Sequence, residues 1–299
     1  MLNSSKINFM KKTNIFTLTI LASAFMVSCG DSKKSEEDEM EKTTTEVAKD
    51  TTAITVNDET KFKFDFAIAN IPSPVGMMNE VSKWGEPYDN KLFNDTKKSN
   101  SYSSEFSKSI NLGIYNIDLS YAMVNNKGED VLSYMKTVMT LSESLGLKGA
   151  VDQMVGKRSE NNLNNKDSLL AILDDIFVRS DSYLRTNERV FTATSVFAGS
   201  WIESLYLTSK ITESTLNKEV KSKSYTHLWE QRFHLGNLIK VLEDFKGNKD
   251  AVQLNDLLSF IHEEISAIRD PKEMDDVKFK SISAKIYALR SHYTDNQKF

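Results

Sequence analysis

The chain has 299 residues, with 38 lysines and arginines against 42 acids and a formal net charge of −4, so it lacks the basic excess typical of nucleic-acid binders. Its one cysteine excludes an intramolecular disulfide, a paired-thiol redox centre and a multi-cysteine zinc site. At 39% hydrophobic and 27% charged residues it has the composition of a globular chain with polar additions, long enough for one or two domains.

Lys6, Lys11 and Lys12 form a basic stretch without acids, and Ile15 to Val27 is an uncharged, mostly apolar run. That order is the order of a secretory signal peptide, and the run is short for a bilayer span, which needs about 20 apolar residues. It ends in Met26-Val27-Ser28-Cys29, which resembles the lipobox of bacterial lipoproteins, with Met26 in place of the usual leucine. The resemblance implies removal of residues 1–28, lipidation of Cys29 and anchoring of the mature chain in a membrane, which several acyl chains make stable where one does not. Residues 29–60 hold ten acids, four lysines and no aromatic residue. Too little apolar surface is present to offset the entropy of ordering, so this segment reads as a disordered acidic tether, about 30 Å in root-mean-square span. Within it, Ser35-Glu36-Glu37-Asp38-Glu39 resembles the acidic export signals of some Gram-negative surface lipoproteins, which implies the outer face of the outer membrane. A linker that only solvates is the alternative.

Residues 61–299 form the body, expected to be one all-α domain: an irregular multi-helix bundle of about eight or nine helices. Three of the four prolines fall between 72 and 87, and none occurs from Tyr88 to Asp270, which suits helices. Residues 61–72 alternate apolar and charged side chains without a partner strand and are expected to be an extended lead-in. Ser73-Pro74 reads as a cap and first-turn proline. A helix from about Tyr102 to Val124 is apolar on two sides and so is expected to be buried on both. Asn126-Lys127-Gly128 breaks the chain. A helix over Val131 to Leu145 ends at Gly146, and a short one follows at Val151 to Val155. Asp167 is expected to cap a helix from Ser168 to about Leu184. Val190 to Ser209 carries one charge, Glu203, and reads as the central core helix rather than a membrane span. Helices over Lys218–Phe245 and Ala251–Ile268 and a last amphipathic one with Phe279, Ile282, Ile286 and Leu289 complete the body. Gly113-x-Tyr115-x-x-x-Leu119 and Gly199-x-Trp201-x-x-x-Leu205 share offsets, either by chance or because two related helices pack closely.

Chemistry is sparse. Asn111 and Asp118 fall on one line of a doubly buried helix, with Tyr115 and Tyr121 near it. A buried carboxylate must be paired or have a shifted pKa. Asn111, Tyr115, Asp118, Tyr121, Trp201 and Glu203 are therefore the candidate ligand-binding residues, with a core network holding helix register as the competing reading. Should Asp118 and Glu203 meet, they form a carboxylate pair fit for acid–base work or for a hard cation. His227, Glu230 and His234 share one face, but the opposite stripe is apolar, so that face is expected to meet solvent. Lys218, Lys221 and Lys223 read as a solvated helix end. No nucleophile elbow, phosphate-binding glycine loop or dinucleotide fingerprint is present, and nothing calls for a catalytic residue, cofactor, metal or nucleic acid. The expectation is a membrane-anchored envelope lipoprotein with a non-enzymatic binding or scaffolding body. The alternatives are a hydrolase or metal-dependent enzyme using Asp118 and Glu203, or a purely structural envelope protein.

Overall fold

The computed structural model describes residues 58–69, 73–147 and 165–295. The signal peptide, Cys29, nearly all of the tether and the helix expected at Val151 to Val155 lie outside the described residues. Among the described residues there are nine α-helices, four short 3-10 turns and no strand. The helices are α1 (Asp58–Ala69), α2 (Pro74–Ser82), α3 (Glu105–Val124), α4 (Gly128–Ser144), α5 (Lys166–Thr186), α6 (Val190–Ser214), α7 (Lys218–Leu242), α8 (Lys249–Ser266) and α9 (Asp276–Asp295). None of them is long and apolar enough to cross a membrane.

Local signals explain most of the boundaries. Ser73 accepts from the Gly76 N–H at 3.1 Å and Pro74 opens α2. Ser104 does the same for α3 through the Ser107 N–H at 3.0 Å. Asn126, at φ 57°, ends α3, since asparagine tolerates the left-handed region. Gly146, at φ 72°, ends α4 and lets the Leu147 N–H reach the Ser142 carbonyl at 2.9 Å.

Two expectations are corrected. Residues 61–69 are not extended: α1 is helical from Asp58, so its first three residues also leave the expected tether. With no strand beside it, an extended segment would leave its backbone groups unpaired, whereas a helix satisfies them internally. Phe64 and Ala67 turn inward, while Phe62, 70% exposed, turns out. Thr60 and Lys63 both hold Asp244, just beyond α7, at 2.8 Å, and this pins α1 in place. The second correction is the cap of α5, which is Asn165 rather than Asp167. Asn165 Oδ1 accepts from the Ser168 N–H at 3.0 Å, and Asp167 falls in the first turn, where its charge complements the helix dipole.

The centre of the fold is the crossing of α3 and α6. Every residue from Ser109 to Val124 is buried, as is nearly all of α6. A Cβ on Gly113 would lie 1.9 Å from the Val196 carbonyl oxygen, and one on Gly199 would lie 1.9 Å from the Ile110 carbonyl oxygen. Each glycine thus meets the residue three before the other glycine. That reciprocity is a local pseudo-two-fold, so the shared offsets in the two segments reflect close packing. Only glycine lets two helix backbones come this near. Helices α2, α4 and α5 pack around α3, while α7 and α9 pack on α6, with α8 lying across α7 and α9.

Candidate functional site

Just beyond the glycine crossing, α3 presents Asp118 and α6 presents Glu203. Both are fully buried, and the two carboxyl groups lie within hydrogen-bonding reach of each other. From α9, Arg290 clamps Glu203 with two hydrogen bonds, Nε to Oε2 at 2.8 Å and Nη2 to Oε1 at 2.9 Å. This is the bidentate fork that guanidinium and carboxylate geometry favour. The guanidinium lies 4.2 Å from the ring centre of the half-buried Tyr206.

The charges decide the protonation. Burial drives the Asp118 pKa well above the usual carboxylate range, and the neighbouring Glu203 charge drives it further. Arg290 already answers Glu203, so Asp118 carries the proton. Its Oδ2 accepts from the Asn94 N–H at 3.1 Å. Its Oδ1 has no donor among the described residues, which leaves that oxygen free to carry the proton. Burial alone works against the Arg290 charge, yet the Glu203 carboxylate holds its pKa above the ordinary arginine value.

The same network holds the short connection between two 3-10 turns, in which Phe93 and Asn94 are buried. The carbonyls of Leu92, Asn94 and Asp95 accept from Arg290 Nη2 at 3.3 Å, the Tyr134 hydroxyl at 2.9 Å and the Tyr115 hydroxyl at 2.8 Å. Asn94 Nδ2 donates to the Tyr102 hydroxyl at 3.0 Å and to Asn111 Oδ1 at 3.4 Å. Asn111 Nδ2 donates to the Tyr293 carbonyl at 3.0 Å. The 3-10 turns on either side supply the Phe93 N–H and the Asp95 carbonyl with one partner each, and these side chains supply the partners that the buried Asn94 backbone requires.

Asn111, Asp118 and Glu203 are thus brought together, with Tyr115 at the edge. Tyr121 stands in an aromatic cluster instead, 5.3 Å from the Tyr88 ring centre and 6.0 Å from Phe93. Trp201 is buried on α6, and its indole N–H has no acceptor among the described residues. None of the six reaches the surface, so the acid–carboxylate pair has the donor and acceptor of an acid–base dyad without an opening to a substrate. Sequence reading missed Asn94, Tyr102, Tyr134 and Arg290. Arg290 had a signal: it lies four residues after Ile286 on the apolar stripe of the last helix, where a charge requires a buried partner. Asn94 lies between two 3-10 turns and has no periodicity to betray it.

His227 lies edge-on to Trp84, with ring centres 6.1 Å apart, and is half-buried rather than on a solvent face. Burial pushes its pKa down to about 4. Among the described residues no three His, Cys, Asp or Glu side chains group closely enough to hold a metal ion.

Among the described residues, cavities open elsewhere, and two of them matter here. A narrow apolar cleft between α3, α4, α5 and α6 has an interior of about 30 Å³, and Asp181 at its edge pairs with Arg185 at 2.9 Å. A more polar and more open pocket of about 420 Å³ lies between the first turns of α7 and residues 271–276. No known protein family, curated protein or solved structure matches the chain.

Proposed function

We propose that the protein is a lipid-anchored envelope protein of a bacterial outer membrane, with an all-helical body that binds or scaffolds a partner rather than catalysing a reaction. The anchor is supported by Met26-Val27-Ser28-Cys29 at the end of an apolar run, with the only cysteine of the chain at the position such a motif requires. The non-enzymatic reading of the body is supported by one observation. Asp118 and Glu203, the sequence candidates with the most reactive potential, are sealed from solvent, and with Arg290 they are committed to each other and to the backbone of Leu92 and Asn94.

Mass spectrometry of the mature N-terminus, compared with a Cys29→Ser variant, tests the anchor. The wild type is expected to begin at an acylated Cys29, and the variant to retain residues 1–28 and carry no lipid. A Cys29→Ser chain that is lipidated and membrane-bound like the wild type sinks the anchor. Hydrolytic activity abolished by Asp118→Asn in a fully folded protein would sink the non-enzymatic reading.

A further inference from the structure

We infer that the pocket at the start of α7 binds a phosphate-bearing ligand. Lys218 and Lys221 line one wall, from the first turn of α7, and Lys272 lines the facing wall, from the 3-10 turn Pro271–Glu273. None of these three ammonium groups is in an ion pair with a described residue, whereas the neighbouring Lys223 pairs with Glu219 at 2.8 Å. Unpaired lysines on a convex surface separate and hydrate, but here three line one concave space, and lysine recognises phosphate as a point charge.

The Ser222 hydroxyl also lines the pocket and is uncommitted among the described residues, while the Thr226 hydroxyl donates to the Ser222 carbonyl at 3.2 Å. Asp276 is the one acid of the lining. It accepts from the Tyr225 hydroxyl and is attracted to Lys221, and both interactions hold its pKa below the usual carboxylate range. The lining therefore keeps a net charge of +2, from three lysines less one aspartate, in a body that is close to neutral. Leu216, 97% exposed, and Val277, 76% exposed, each lie within two residues of a lining residue. The phosphate can thus come from a soluble ester or from a lipid headgroup. The inference does not depend on acylation of Cys29.

The test has two arms. In the first, calorimetry on the full-length chain at low ionic strength uses inorganic pyrophosphate and inositol hexakisphosphate as probes. In the second, the Cys29→Ser chain is sedimented with vesicles of phosphatidylglycerol or of phosphatidylcholine. The variant is Lys218→Gln/Lys221→Gln/Lys272→Gln. The comparator, Lys91→Gln/Lys97→Gln/Lys240→Gln, has the same net charge. Saturable binding is expected in one arm, weakened about tenfold or more by the pocket variant and less than about twofold by the comparator. Binding of the soluble probes identifies a phosphate ester, and selective binding to phosphatidylglycerol identifies a lipid headgroup. Lysines removed from solvent should leave the melting temperature unchanged, and Lys272→Gln alone gives a second, milder readout. Absence of saturable binding in both arms, or equal weakening by the comparator, overturns the inference.

Discussion

Asp118 and Glu203 carry the same functional group a few ångströms apart, yet the fold treats them differently. Glu203 has Arg290, so it serves as the anion of the pair; Asp118 has a backbone N–H and a carboxylate, so it serves as the acid. Asp118→Asn keeps a donor toward Glu203 and an acceptor toward the Asn94 N–H, and should fold with little loss. Because Asp118 takes up a proton on folding, its contribution is full below the unfolded value near 3.8 and is lost as pH rises through the higher folded value. The Asn variant escapes that loss, so its melting temperature should gain on the wild type from acid to neutral pH. Glu203→Ala instead strands a buried guanidinium and should cost about 3–5 kcal/mol in denaturant unfolding. His227 has the opposite linkage. Its folded pKa of about 4 lies below the unfolded value of 6.5, so the unfolded chain binds more protons between them. Stability should fall as pH drops through that window, and His227→Gln should flatten that slope in unfolding titrations. An unchanged slope would show that His227 is not the group responsible.

At the level of helices, the α3–α6 crossing is the least adaptable contact. A methyl group at Gly113 or Gly199 meets a carbonyl of the facing backbone, which no rotamer change relieves. Gly113→Ala and Gly199→Ala should each cost about 3 kcal/mol or more, roughly 10 °C in Tm, despite the better helix propensity of alanine. Gly128 offers the contrast, since nothing lies within 4 Å of an added Cβ there, and Gly128→Ala should be neutral or slightly stabilising in the same thermal melts. Helix positions were largely readable because burial imposes a 3.6-residue rhythm on the sequence, as in α3, α6 and α9. The rhythm failed at α1. Phe62, Phe64 and Phe66 alternate like a strand, yet among the described residues no strand lies beside them, and the segment is a helix that buries Phe64 and Ala67 and holds Asp244.

Across the whole molecule, the net charge of −4 divides unevenly. Residues 1–28 contribute +3, residues 29–60 contribute −6 (four lysines less ten acids), and residues 61–299 contribute −1 (31 basic less 32 acidic). The proposed mature protein therefore has its negative charge concentrated near the lipid and a nearly neutral body that gathers three lysines around one pocket. Composition, punctuation and periodicity are local properties, and they suffice for an all-helical body, for the buried status of α3 and α6, and for Asp118 as a position that demands an explanation. They do not carry distances between residues far apart in the chain. That Asp118 meets Glu203, that Arg290 arrives from the last helix to neutralise one of them, and that Lys272 faces Lys218 and Lys221 were decided only by the tertiary packing. The physical reason is that the protonation of a buried acid and the charge of a pocket depend on neighbours within a few ångströms, wherever in the sequence those neighbours lie.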